Sequence, residues 1–428
     1  MRRAAFALLL AALRPAPADA QGLPHARAIE VGLDSSRLAG IAPMLREAVE
    51  RGEVAGVVTL VARHGRIAAL DSAGFRNLER RTPAGAATLF RIASMSKPVT
   101  SVAALMLVEE GRLRLADPVA RYIPAFANMM VAAPRDSGAR RAALTPARRP
   151  ITIHDLLTHR AGFTYGFLDD GPTGDAYRAA GVSDGLPARE EGIGANVDRL
   201  AALPLVAQPG ARFQYGLSVD VLGRVIEIVS GRSLADFLQE RLFEPLGMPD
   251  TRFYVDDARL ERLATPYAWE GRRLRAMRPT ERFGNLLLAG EGYRGSRTYF
   301  SGGSGLVSTA GDYARFLQMI LNGGELDGVR VLGPKTVELL TSNAIEGTSH
   351  PLGRGAGFGL GLQVLTDLGL ASEPGSVGTV SWSGIYGTAF WADPAEQLIG
   401  IVMLQRFPTS DLTLGDRFRA VTYAAVTD

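Results

Sequence analysis

The chain has 428 residues, 46% of them apolar and 21% charged, with a formal net charge of +3. That length can bury a large core in two domains, or in one with a big insertion, and the composition is ordinary for a globular enzyme. Near-balanced charge without a long Lys/Arg run leaves no footprint for nucleic acid or an anionic membrane. The absence of cysteine excludes disulfides, thiol catalysis and thiolate metal sites.

From the N-terminus, Arg2 and Arg3, an apolar stretch over residues 4–13 and the small-x-small run Ala18-Asp19-Ala20 predict an export signal over residues 1–20. A periplasmic or secreted location follows from it. No other stretch nears the roughly 20 apolar residues of a membrane span. Residues 35–51 are predicted as one amphipathic helix, with Leu38, Ile41, Leu45 and Val49 on one side. The β-rich runs 54–62 and 66–75 meet at His64-Gly65 and read as a hairpin. Residues 99–110 form a helix that is apolar nearly all round, hence buried, with Pro98 tolerated in its first turn and Gly111 as its stop. Then come a surface loop over 132–150, a short helix over 153–159 and a long loop or lid over 163–194. Helices follow over 220–230 and 235–242, then an arginine- and glycine-rich segment of low periodicity over 272–297, then a helix over 311–322. A second hairpin joins 387–392 to 398–404 through Asp393-Pro394, and a final helix covers 416–426. Strands at both ends and helices between them predict an α/β (α+β) fold. Its antiparallel sheet, flanked by helices, draws on residues 21–95 and 295–428. An all-helical domain with lid loops is inserted over 96–294.

Of 47 basic residues only two are lysine, Lys97 and Lys335. Lys97 lies three residues after Ser94, at the start of the apolar helix, and residues i and i+3 of a helix share a face. Its amine therefore falls beside the Ser94 hydroxyl. A buried lysine can give up its proton and guanidinium cannot, so Ser94 and Lys97 read as a nucleophile with a base. Tyr215, in the run Phe213-Gln214-Tyr215-Gly216-Leu217-Ser218 ahead of a helix, is a candidate phenolate or proton relay. The run Trp382-Ser383-Gly384-Ile385-Tyr386-Gly387 leads into a strand, and its glycines let a ligand or backbone come close. Tyr165 and Trp382 read either as pocket walls or as core.

In order and spacing, Ser94-x-x-Lys97, Tyr215 and Trp382-Ser383-Gly384 resemble the serine β-lactamase and penicillin-binding-protein superfamily. The chain is most similar to its class C β-lactamase-related esterases, the family VIII carboxylesterases. The supporting runs are residues 151–162, 215–231 and 301–309, and the resemblance covers roughly residues 35–420. It implies the β-lactamase/transpeptidase-like fold and no cofactor. It also implies that Ser94 is acylated, that Lys97 activates it and shares protons with Tyr215, and that Tyr215 is the general base that later protonates the leaving group. The oxyanion hole would be the Ser94 and Ile385 backbone N–H groups, with Trp382, Ser383, Gly384 and Tyr165 against the substrate. Two positions depart from the penicillin-recognising pattern. Leu217 stands where Y-x-N has its asparagine, and Trp382 stands where K-T-G has its lysine. Both shift the expectation toward a small neutral ester and away from the alternatives, a β-lactam or a D-alanyl amide or peptide.

Three rivals fare worse. An α/β-hydrolase needs a G-x-S-x-G elbow, and the nearest run, Gly302-Gly303-Ser304-Gly305, continues with Leu306. A metal hydrolase needs ligands on one helix face, whereas His154 and His159 are five apart and read as hydrogen-bonded structural residues. A non-catalytic binding protein on the same fold has no reason to keep Ser94, Lys97 and Tyr215 together.

Overall fold

The computed structural model describes residues 22–132, 143–186, 190–289, 293, 298–345 and 353–428. The expected export signal, residues 1–20, lies outside them. Eight strands form the main sheet: β1 (Gly56–Arg63), β2 (Arg66–Asn77), β3 (Thr82–Pro83), β4 (Ala356–Phe358), β5 (Gln363–Leu365), β6 (Val380–Ser383), β7 (Ala389–Asp393) and β8 (Leu398–Leu404). Their order in space is β4-β5-β6-β7-β8-β1-β2-β3, and every neighbouring pair is antiparallel. The N-terminal hairpin thus docks beside the last strand of the main sheet, with Leu60 opposite both Ile401 and Leu70.

Both β1 and β8 are buried at every residue. They read as unbroken apolar runs because the sheet is covered on both faces. Side chains alternate across a strand, and the two cores divide accordingly. Val57 and Val61 face the helices Ile41–Glu50 and Leu414–Ala424, with Leu45 and Phe418. Val58, Leu60 and Ala62 join the larger core with the central helix, Ser96–Glu109. That helix is buried from Ser96 through Leu107, which agrees with an all-round apolar sequence. It packs against the helix Ser218–Ser230. This is the β-lactamase/transpeptidase-like arrangement of mixed helices and antiparallel sheet.

Several expectations are corrected. The first helix breaks at Ala39–Gly40 into Ser35–Leu38 and Ile41–Glu50. The loop over 163–194 contains the helix Pro172–Ala179 and ends in the helix Ile193–Ala201. The segment over 272–297 holds short strands at Arg273–Ala276, Thr280–Phe283 and Leu286–Ala289. The surface loop over 132–150 is framed by a strand pair, Met130–Ala132 with Leu144–Pro146. The final helix starts two residues earlier than expected, at Leu414.

Leu105 is fully buried in the central helix, whereas Leu339 is 43% exposed. Leu105→Ala is expected to cost about 2–5 kcal/mol of unfolding free energy in urea denaturation, and Leu339→Ala less than about 0.5 kcal/mol.

Candidate active site

The short strand Phe90–Arg91, paired with Val307–Ser308, delivers the chain into a tight turn over Ala93–Met95. Ala93 takes φ 41°, in the left-handed region that non-glycine residues rarely enter, so the nucleophile candidate follows a strained residue. Ser94 sits in that turn, just ahead of the central helix, and Lys97 rises from the helix's first turn. Fully buried, Lys97 Nζ donates to Ser94 Oγ at 2.9 Å and to the Gly303 carbonyl at 2.8 Å. The Tyr215 hydroxyl donates to the same Ser94 Oγ at 2.7 Å. Lys97 Nζ also lies 4.7 Å from the Tyr215 ring centroid and 5.6 Å from that of Tyr165.

Tyr215 is aimed by its backbone. Gln214 N–H donates to the His159 carbonyl at 2.7 Å. A Cβ on Gly216 would come within 2.5 Å of the Phe163 carbonyl oxygen, so only glycine lets these two segments meet. Around the phenol ring stand His159 at 4.8 Å, Tyr165 at 5.4 Å and Trp382 at 5.6 Å between centroids. A second close approach builds the opposite wall. Gly384 passes so near Ile92 that a Cβ would sit 2.4 Å from its carbonyl oxygen. The Gly384 N–H is spent on the Thr388 carbonyl at 2.7 Å, and Ile385 follows at the cavity wall.

Ser94, Tyr165, Tyr215, Trp382, Ser383, Gly384 and Ile385 all line one cavity of about 710 Å³, and Lys97 is buried behind Ser94. β5 pairs with β6 only at Val380 and Ser381. Among the described residues Trp382 and Ser383 pair with β7 alone, so this half of the strand presents an open edge there. Phe167, Leu168, Leu186 and Phe213 add apolar wall, and Asp184 and Arg354 add charge. Leu217, the second residue after Tyr215, is fully buried and offers no polar side-chain group. Among the described residues no group of three or more His, Asp or Glu side chains could hold a metal ion, and no helix is long and apolar enough to cross a membrane.

Two residues of the site escape sequence reasoning. Asp220 stands in the first turn of the helix Ser218–Ser230, where an acidic residue signals only a helix start. Its carboxylate accepts from Ser301 Oγ at 2.6 Å. Burial pushes its carboxyl up to about 6, against the opposing pull of the Ser301 hydrogen bond and the Lys97 charge. His159, expected to be hydrogen-bonded, has no partner for either ring nitrogen among the described residues. Burial, then the Lys97 cation, hold its imidazole well below the ordinary histidine range, so it stays neutral. Burial likewise raises the Tyr165 phenol, helped by Tyr215 and Asp220.

The chain is similar to known proteins of one family. Residues 41–424 match the family model described as Beta-lactamase. Esterase EstB of Burkholderia gladioli is 34% identical over 376 residues, covering 85% of this chain and 89% of its own. Lovastatin esterase of Penicillium rubens is 29% identical over 396 residues, covering 84% and 90%. The structure of EstCE1, described as a hydrolase with promiscuous acyltransferase activity, superposes with a TM-score of 0.79 at 30% identity, covering 91% of this chain and 98% of that one.

The Asp220 carboxyl sets a pH dependence. Its ordinary value is 3.8 and its folded value about 6. Between these values the folded chain holds a proton that the unfolded chain has lost. Its contribution to stability is therefore full below about pH 4 and is lost as pH rises through about 6. For Asp220→Asn, the stability of the variant relative to the parent is expected to grow by about 3 kcal/mol between about pH 4 and pH 7, read by urea denaturation across that range. A constant difference across the range would refute it.

Proposed function

The chain belongs to the beta-lactamase family, and from that premise we propose that it is a serine hydrolase that cleaves small neutral carboxylic esters through an acyl-enzyme on Ser94. The observation that carries this is the convergence of Lys97 Nζ and Tyr215 OH on one serine oxygen, at 2.9 and 2.7 Å, at the wall of a cavity. Once the Lys97–Tyr215 pair has lost one proton, it accepts the Ser94 proton through the Tyr215 oxygen as Oγ bonds to the ester carbonyl carbon. The Ser94 and Ile385 backbone N–H groups receive the oxyanion. The intermediate collapses by breaking the C–O bond to the leaving alcohol, which departs with the proton held by Tyr215. Water then attacks the acyl carbon by the same proton route, releasing the carboxylic acid and free Ser94.

The family's own hydrolases support a hydrolytic reading, and the names of EstB and lovastatin esterase point to esters. Leu217 and Trp382 favour a neutral ester over a β-lactam or D-alanyl amide, because one removes a side-chain amide and the other a cation. Export through residues 1–20 is part of the proposal, and fractionating cells that produce the full chain tests it.

Ser94→Ala is expected to abolish labelling by a fluorophosphonate and to lower kcat/KM on p-nitrophenyl acetate by about 10³-fold or more. Tyr215→Phe is expected to lower it by about 10²–10⁴-fold. In a panel with nitrocefin and D-alanyl amides, the short-chain esters should give the highest kcat/KM. Unchanged ester cleavage in Ser94→Ala would overturn the proposal.

A further inference from the structure

His159 is buried to 0% exposure and its ring nitrogens have no partner among the described residues. An imidazole in that state costs free energy that a hydrocarbon side chain would not, so its retention asks for a reason. The backbone supplies half of one. His159 takes φ 52°, in the left-handed region, where histidine, with asparagine and aspartate, is several-fold enriched among non-glycine residues. The ring supplies the other half. It packs at 4.8 Å against Tyr215, and Phe213 and Phe358 hold it from two further sides at 5.7 Å each. The position therefore requires a left-handed backbone, whose carbonyl accepts the Gln214 N–H at 2.7 Å, and a flat ring beside the phenol. Among those enriched residue types, histidine alone meets both requirements.

We infer that His159 is a positioning residue for Tyr215. Its carbonyl fixes the segment that carries the phenol and its ring fixes the angle at which the hydroxyl meets Ser94. The inference rests on Tyr215 being the proton carrier of the proposed reaction. The imidazole itself moves no proton in this scheme, since it is neutral and has no hydrogen-bonded path to Ser94 among the described residues.

The test is a kinetic series on p-nitrophenyl acetate, with kcat and KM resolved and active enzyme counted by fluorophosphonate titration. Small misplacements of a catalytic group cost up to about 10²-fold in rate. His159→Ala is accordingly expected to lower kcat by about 10- to 100-fold per titrated site while KM changes less than about twofold. His159→Asn keeps the left-handed backbone and loses the ring, so it should be similarly slow. His159→Phe keeps the ring, and should return kcat to within about fivefold of the parent. In a Tyr215→Phe background, His159→Ala should cost less than about twofold more, because the hydroxyl it serves is already gone. Counting active sites by titration separates misfolding from slow turnover, and His159→Asn carries the test if the alanine variant does not fold. Parental kcat in both His159→Ala and His159→Asn would overturn the inference. So would a His159→Phe variant as slow as His159→Ala, or equal losses from His159→Ala with and without the Tyr215 hydroxyl. If Tyr215→Phe itself kept the parental kcat, the proposed function would fail instead.

Discussion

Taking the Lys97 amine out of water costs several kcal/mol unless its donors are met by good acceptors. Ser94 Oγ and the Gly303 carbonyl meet two of them, from opposite directions in sequence. That demand organises the rest of the site. Gly303 must hold its carbonyl still, and the turn that carries it is pinned by Thr100 donating to the Gly302 carbonyl at 2.8 Å. Leu306 N–H donates to Ser96 Oγ at 3.1 Å, tying the far side of the turn to the same helix. Asp220 reaches the turn through Ser301 and places a carboxylate in the electrostatic range of the amine. One desolvated nitrogen therefore explains why a loop some two hundred residues away in sequence is packed against the nucleophile.

The sheet explains why such an arrangement is rigid. With β1 and β8 buried on both faces, a one-residue slip would exchange residues between two cores of different shape. The register is thereby fixed. β6 and β7 inherit it, and the Ser383–Ile385 turn is held against Ile92 by the close pass at Gly384.

What was legible in the sequence follows from range and length. Ser94 and Lys97 are legible because their relation is local, three residues on one helix. The long apolar runs of β1 and β8 and the central helix are legible because burial on every side leaves an unbroken pattern. Tyr215 and Trp382 became legible through resemblance, since nothing in a turn or a short strand marks them. Asp220 and His159 were not, because their roles depend on neighbours distant in sequence: Ser301 for one, Phe358 for the other. The strands β4 and β5 are three residues each, too short for an alternation to show, and Arg273–Ala276 alternates polar and apolar over only four residues.

The docking of the N-terminal hairpin beside β8 also governs when the protein can become active during its synthesis. Leu60 finds its partner Ile401 only after the 341 residues that follow it have been made. Until then the central helix, apolar on all sides, lacks the wall that β8 contributes to its core, and Trp382–Ile385, the far side of the cavity, does not yet exist. A nascent chain thus holds Ser94 and Lys97 without the opposite wall of the cavity, and long-range antiparallel closure comes late and slowly. Topology alone thus makes the closed cavity a late product of synthesis.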